Sequence, residues 1–208
     1  MGLYVKGVLG SFQGKVGAVI GSNWRSIDYM RSLPRPSKKP ATEKQRAQRE
    51  KFTLVMNFLA PLRDLIDISY RDSMHGKQTA FNKATSHVMS MVEGEYPNFS
   101  IPYEKVILAK GRLWPVRPKI ESGLDSVELQ WGEEAGVVNA KPEDVVNIVV
   151  YDEEKDDFYV FQDAVRADGS YAIPSNELGS ESLHAWVFAT SAEGNICSKS
   201  TYLGVLGT

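Results

Sequence analysis

The sequence of 208 residues has a single cysteine, Cys197. An internal disulfide is therefore excluded, and a reducing compartment is expected. No apolar run approaches the roughly 20 residues that span a bilayer, and the N-terminus lacks the apolar core and cleavage site of a signal peptide. We expect no membrane contact, and either a cytoplasmic location or a place in an assembly exported without a cleaved signal peptide.

Motifs for catalysis, metals and cofactors are also lacking. The three histidines lie far apart, and no HxxxH pair, no Cys/His pair and no GxSxG elbow occurs. The sequence around Cys197 shows no residue that would activate its thiol. We therefore expect no enzyme, no cofactor, no metal and no small-molecule substrate. An active site assembled from distant loops stays open as an alternative.

The stretch GSFQGKVGAVIGSNWR, residues 10–25, comes nearest to a phosphate-binding loop. It has three residues instead of four between Gly10 and Gly14, and Val16 replaces the Ser or Thr that would hold Mg²⁺. It also precedes a strand pattern, whereas a phosphate loop opens a helix. We interpret the glycines as positions where a twisted hairpin bends or lies against another backbone.

Charge is distributed unevenly along the chain. The overall net charge of −2 combines a net +11 over residues 1–120 with a net −13 over residues 121–208. Two alternatives follow: the halves attract each other within one molecule, or the basic half faces an acidic partner. That partner is either nucleic acid or the acidic half of a neighbouring copy.

The first 120 residues predict a hairpin followed by helices. Alternation over 16–33 favours a β-hairpin with its turn near Trp24–Ser26. The capping box at Thr42 starts a helix that Pro61 should kink, and a second helix is predicted over 78–92. The apolar run over 101–110 predicts a strand.

From about residue 124 the pattern changes to short strands separated by turn residues, which is typical of a β-sandwich. The segment LHAWVFATSAEGNICS resembles the penultimate strand and following turn of fibronectin type III domains. The predicted fold is α+β: an N-terminal β-hairpin plus two-helix part, then an immunoglobulin/fibronectin-like β-sandwich. The predicted domains are a basic one over 1–111, a linker over 112–122 and an acidic sandwich over 123–208.

Motifs spread along the chain also resemble those of a known family. The run GKVGAVIGSNWR, a following proline, and the pattern TxxQxxQRxxF from Thr42 to Phe52 are similar to an uncharacterised family of Bacteroides-type bacterial proteins of about this length. The resemblance covers nearly the whole chain. It implies a shared architecture and transfers no activity, cofactor or catalytic residue.

Together these features favour a non-catalytic structural or protein-interaction protein, a subunit of a larger or self-associating assembly. The partner would be another protein chain or a second copy, with head-to-tail contact possible. The alternative is a nucleic-acid-binding protein that uses the basic N-terminal half. The candidate partner-contact residues are Lys15, Trp24, Arg25, Tyr29, Arg31, Arg35, Lys38, Lys39, Arg46 and Arg49.

Overall fold

A computed structural model of the chain describes residues 2–3, 12–36, 39–73, 78–122, 126–132, 139–174 and 182–206. The chain divides into two compact units, Met1–Glu43 and Lys44–Thr208. In the second unit, helices and sheets share a core. The predicted domains over 1–111 and 123–208, with a linker over 112–122, stay a prediction. Each unit is described by itself below.

The first unit is a four-stranded antiparallel sheet in the order β1-β4-β3-β2. The predicted hairpin is confirmed as β3 and β4, whose pairing brings Trp24 opposite Ile27. The two turn residues between them, Arg25 and Ser26, have φ of 46° and 64°, as a type I′ hairpin turn requires. The strands are β1 (Gly2–Leu3), β2 (Gly14–Val16), β3 (Val19–Trp24) and β4 (Ile27–Ser32).

The glycines of this sheet explain part of the glycine-rich stretch. A Cβ placed on Gly21 would lie 2.2 Å from the carbonyl oxygen of Phe12 and 2.7 Å from its ring. The Phe12 segment can therefore cross β3 only over a glycine, as the sequence predicts for a close backbone approach. Gly17, with φ of 58°, turns the chain between β2 and β3. Gly10 lies outside the described residues.

The second unit begins with helices. The predicted kinked helix is interrupted at Pro61: α1 ends at Leu59, a 3₁₀ turn follows, and α2 begins at Arg63. Proline causes such an interruption because it removes a backbone donor. The second predicted helix is α3, where the Thr79 hydroxyl accepts a hydrogen bond from the backbone N–H of Asn82 at 3.1 Å. The helices are α1 (Glu43–Leu59), α2 (Arg63–Ser69) and α3 (Ala80–Met89), with 3₁₀ turns at Ala60–Leu62, Arg71–Ser73, Tyr103–Lys105 and Arg166–Asp168.

The strand predicted over 101–110 is wrong. This segment holds a 3₁₀ turn and then runs extended without joining a sheet. Two of its carbonyl groups bond to side chains: Ile107 accepts from the Tyr70 hydroxyl at 2.6 Å, and Leu108 accepts from the Ser69 hydroxyl at 2.7 Å. A short hairpin precedes the segment, formed by β5 (Glu93–Glu95) and β6 (Asn98–Ser100).

Two larger antiparallel sheets complete the second unit. One has the order β10-β9-β12-β13 and the other β11-β8-β7. The coarse α+β prediction is therefore confirmed. The strands are β7 (Lys119–Ser122), β8 (Ser126–Gln130), β9 (Val145–Asp152), β10 (Asp157–Val165), β11 (Ser170–Pro174), β12 (Leu183–Thr190) and β13 (Thr201–Leu206).

The two central strands β9 and β12 are buried on both faces, which is why they read as nearly continuous apolar runs. Ile148 and Val187 pack with Leu129 of the three-stranded sheet. On the other face, Trp186 and Phe188 pack with the helices. The second unit therefore has three layers: helices, the four-stranded sheet and the three-stranded sheet.

Candidate functional site

One face of the four-stranded sheet in the first unit carries several residues predicted to contact a partner. Directly paired residues of an antiparallel sheet point to the same side, and successive residues along a strand alternate between sides. The register pairs Lys15 with Ile20, and Ile20 with Arg31, so these three share a face. The same rule assigns the rest of this surface, called the Tyr29 face, whose residues are Lys15, Ile20, Ser22, Trp24, Ile27, Tyr29 and Arg31.

The Tyr29 face is basic and partly apolar. Lys15 and Arg31 are exposed, and Trp24 exposes 46% of its surface. The described residues on this face include no carboxylate. Asp28 lies on the opposite face by the same alternation, and there it accepts a hydrogen bond from Asn23 Nδ2 at 2.8 Å. Among the described residues, the face therefore offers positive charge beside the exposed Trp24 ring.

The hairpin turn adds a third cation beside this face. The Arg25 guanidinium carbon lies 5.4 Å from the centre of a Trp24 ring, within the range of a cation–π contact. Because Arg25 occupies a left-handed backbone position that favours Gly or Asn, hairpin stability alone does not explain an arginine there. A contact with a partner would be one physical reason for an arginine at this position.

The remaining predicted contact residues lie elsewhere. Arg35 and Lys39 are exposed in the extended connector, and Arg46 and Arg49 are exposed on α1 of the second unit. Lys38 lies outside the described residues. The structure thus brings four predicted residues onto one surface, which are Lys15, Trp24, Tyr29 and Arg31.

The second unit contains a cavity of about 280 Å³ between helix α1, the segment after β6 and the turn between β9 and β10. The rings of Phe58, Tyr103 and Tyr151 lie against one another, with the Tyr151 centroid 5.2 Å from Phe58 and 5.3 Å from Tyr103. We call this cavity the aromatic pocket. Its aromatic and acidic lining residues are Phe58, Phe99, Tyr103, Tyr151, Glu153 and Asp156.

The acidic residues of the aromatic pocket are held by a tight turn. Asp152 Oδ1 accepts hydrogen bonds from the backbone N–H groups of Glu154 and Lys155, each at 3.1 Å. Asp156 has φ of 52°, and its Oδ1 accepts a hydrogen bond from the Tyr151 hydroxyl at 2.8 Å. The turn therefore fixes the Asp156 carboxylate above the aromatic rings.

The second carboxylate is fixed from the neighbouring strand. Glu153 Oε2 accepts a hydrogen bond from the Ser182 hydroxyl at 3.1 Å and lies 3.6 Å from His184 Nε2. Burial lowers the pKa of His184 below its ordinary value of 6.5, although Glu153 opposes this shift. Burial, followed by the hydrogen bond to Asp156, raises the pKa of Tyr151. The pocket therefore combines aromatic rings with two acidic side chains.

Sequence reasoning did not predict the aromatic pocket. Its lining comes from three segments that are far apart in sequence, around Phe58, over 99–103 and over 151–156. The acidic run after β9 forms a hairpin turn, in which Asp152 pairs with Asp157. The sequence gives no sign that this turn lies above aromatic rings from a helix.

Cys197 is buried with 1% of its surface exposed, and its thiol donates to the Ser69 carbonyl oxygen at 2.7 Å. Burial raises the pKa of this thiol to about 11. A buried protonated thiol is a poor nucleophile. Among the described residues, no group of three or more His, Cys, Asp and Glu side chains is placed to hold a metal ion. No helix in the described part of the chain is both long and apolar enough to cross a membrane.

Comparison with known families extends these observations. A model of the family of unknown function DUF6266 matches residues 11–204. The chain belongs to this family. The predicted membership of an uncharacterised family is therefore confirmed, and the match covers both units of this DUF6266 chain. No curated protein matches the chain significantly.

Proposed function

We propose that this protein is a non-catalytic interaction protein that associates with other copies through the Tyr29 face. The observation that carries the proposal is the collection of Lys15, Trp24, Tyr29 and Arg31 on one sheet face without a described carboxylate among them. Exposed aromatic and arginine side chains are enriched where proteins bind each other. The face therefore suits an acidic, partly apolar partner surface.

The acidic partner surface that the chain itself supplies lies in residues 121–208, with a net charge of −13. Contact between the Tyr29 face of one copy and this acidic region of the next would join two different surfaces, which generates rings or open filaments. Opposite charges speed such association and make it salt-dependent. The proposed protein is thus a head-to-tail assembly subunit.

Light scattering behind size-exclusion chromatography tests the proposal across protein and salt concentration. We expect wild-type oligomers at low salt that dissociate as salt increases. Arg31→Glu should shift the equilibrium toward monomer, because it places a carboxylate on the Tyr29 face. Lys119→Glu changes the net charge equally on β7 of the second unit, and should have a much smaller effect. A monomer at every concentration and salt contradicts the proposal and favours attraction within one molecule.

A second candidate function uses the same face. Trp24 and Tyr29 beside Lys15 and Arg31 match the combination of stacking rings and phosphate-binding cations found in single-strand binders. Fluorescence anisotropy with random single-stranded DNA and RNA tests this candidate. Binding at low salt that Trp24→Ser abolishes would support it. No binding at low salt would rule it out.

For the acidic region we propose a fibronectin type III-like sandwich. Counted from β7, the first, second and fifth strands form one sheet, and the third, fourth, sixth and seventh form the other. The two sheets share a core that includes Leu129, Ile148 and Val187. Both features support an aligned sandwich. An experimental structure with the sheets crossing at near right angles would overturn this assignment.

A further inference from the structure

We propose that the aromatic pocket binds an organic cation, namely a guanidinium or alkylammonium group. The site lies within the second unit and does not depend on the Tyr29 face. Its volume of about 280 Å³ falls at the lower limit of the roughly 300–1,000 Å³ of pockets for drug-sized ligands. The cavity therefore suits one extended side chain or a small amine.

The lining has the chemistry that an organic cation requires. Phe58 and Tyr151, which expose 4% and 5% of their surfaces, form an aromatic floor. Glu153 and Asp156 stand at the rim, where the Glu153 side chain is half exposed. Aromatic rings attract a cation through their quadrupole, and carboxylates pair with it directly. The described lining residues themselves include no Lys or Arg.

At this cavity the chain itself places an ammonium group against an aromatic ring. The Lys51 ammonium group lies 4.7 Å from the centre of the Phe99 ring, and Phe99 lines the aromatic pocket. An ammonium group is thus accommodated on one ring of the site. The part of the pocket lined by Tyr103, Tyr151 and Asp156 offers aromatic rings with an acidic side chain added.

Other ligands fit less well. The two acidic side chains disfavour an anion, and among the described residues no group of three or more His, Cys, Asp and Glu side chains is placed to hold a metal ion. The pocket differs in this way from a site for phosphate or nucleic acid. A positively charged side chain from another copy and a free small amine share the favoured chemistry, and an experiment can distinguish the two sources.

The test is a titration of the full chain with Nα-acetyl-L-argininamide, called argininamide below, monitored by ¹H–¹⁵N NMR. Nα-acetyl-L-citrullinamide, which replaces the guanidinium by an uncharged urea and has no charged amine, is the matched control ligand. We expect saturable shifts in residues 99–103 and 151–156 with argininamide only. Equal shifts with both ligands, shifts confined to other regions, or no saturation up to the solubility limit would overturn the proposal.

Two conservative variants remove charge while preserving the fold. Asp156→Asn keeps an acceptor for the Tyr151 hydroxyl and tolerates the left-handed backbone, and Glu153→Gln keeps an acceptor for Ser182. Together they should weaken argininamide binding about tenfold or more, the factor that corresponds to about 1.4 kcal/mol. Glu193→Gln, beyond the opposite end of β12, should leave binding unchanged. Undiminished binding by the folded double variant would also overturn the proposal.

The oligomeric state of the concentrated protein distinguishes the two sources of the cation. If a side chain of a second copy occupies the pocket, argininamide should dissociate the oligomers, and the double variant should be monomeric. If the natural ligand is a small amine, neither treatment changes the oligomeric state. Both outcomes require argininamide to bind, so they support the cation site. Loss of salt-dependent association with intact argininamide binding would contradict only the proposed assembly function.

Discussion

Replacing Asp144 by Asn should unfold the second unit far more readily than an equal change at the surface. Asp144 is fully buried just before β9, and Arg166 is 5% exposed just after β10. Their charged atoms, Asp144 Oδ2 and Arg166 Nε, lie 3.5 Å apart. The variant retains the side-chain shape and an acceptor for the Lys141 N–H, but it leaves the Arg166 charge buried without this partner.

The expected loss of stability follows from the distance between the charged atoms of Asp144 and Arg166. Two unit charges 3.5 Å apart interact by about 5 kcal/mol at an effective dielectric constant of about 20. Removing one partner of a buried pair typically costs about 3–5 kcal/mol. Because whole domains are stable by only about 5–15 kcal/mol, this is a large fraction of the total.

Urea unfolding, monitored by tryptophan fluorescence, measures the loss of unfolding free energy. Asp72→Asn is the matched control, since it removes the ion pair with Arg112, whose side chain is 76% exposed, and exposed pairs contribute little. Pairing Asp144→Asn with Arg166→Met should restore part of the stability, because the double variant has no buried charge. A loss below about 1 kcal/mol for Asp144→Asn would refute the reasoning.

Four further predictions concern other elements. Arg25→Asn with Ser26→Gly should stabilise the hairpin by about 1–2 kcal/mol, since both positions have positive φ; unchanged amide exchange in β3 and β4 would contradict this. Gly111→Ala should cost about 1–3 kcal/mol in thermal unfolding, because its Cβ would lie 2.1 Å from the Cys197 carbonyl oxygen; an unchanged melting temperature would contradict it. Cys197, with its pKa raised to about 11, should react with a thiol reagent only after unfolding, and rapid reaction of the native protein would disagree. Because the pKa of His184 is lowered in the folded state, stability should fall as pH decreases below 6.5, and His184→Gln should reduce this dependence; an identical pH profile for the variant would argue against it.

The local elements of this fold could be predicted from the sequence because their signals are local. Strand alternation placed the hairpin, and a single residue, Pro61, identified where the first helix is interrupted. The segment over 101–110 was mistaken for a strand because its apolar pattern is also satisfied by burial against α2. Its backbone partners, such as the Tyr70 hydroxyl, are distant in sequence and carry no local signal.

The packing of helices and sheets into one core of the second unit was not predictable for a related reason. Charge and composition change near residue 120, but packing follows the apolar faces. Trp186 and Phe188 bury their side chains among the helices, so helices and sheets form one core. The aromatic pocket arises from this packing and could be recognised only once α1 and β9 were placed together.

Photo-crosslinking from two adjacent positions tests the central claim most directly. Tyr29 and Met30 follow each other on β4 and point to opposite faces of the sheet. Benzoylphenylalanine at position 29 should crosslink two copies at low salt, and the crosslink should map to residues 121–208. The same group at position 30 should give little product. Equal crosslinking from both positions, or none from position 29, would contradict assembly through the Tyr29 face.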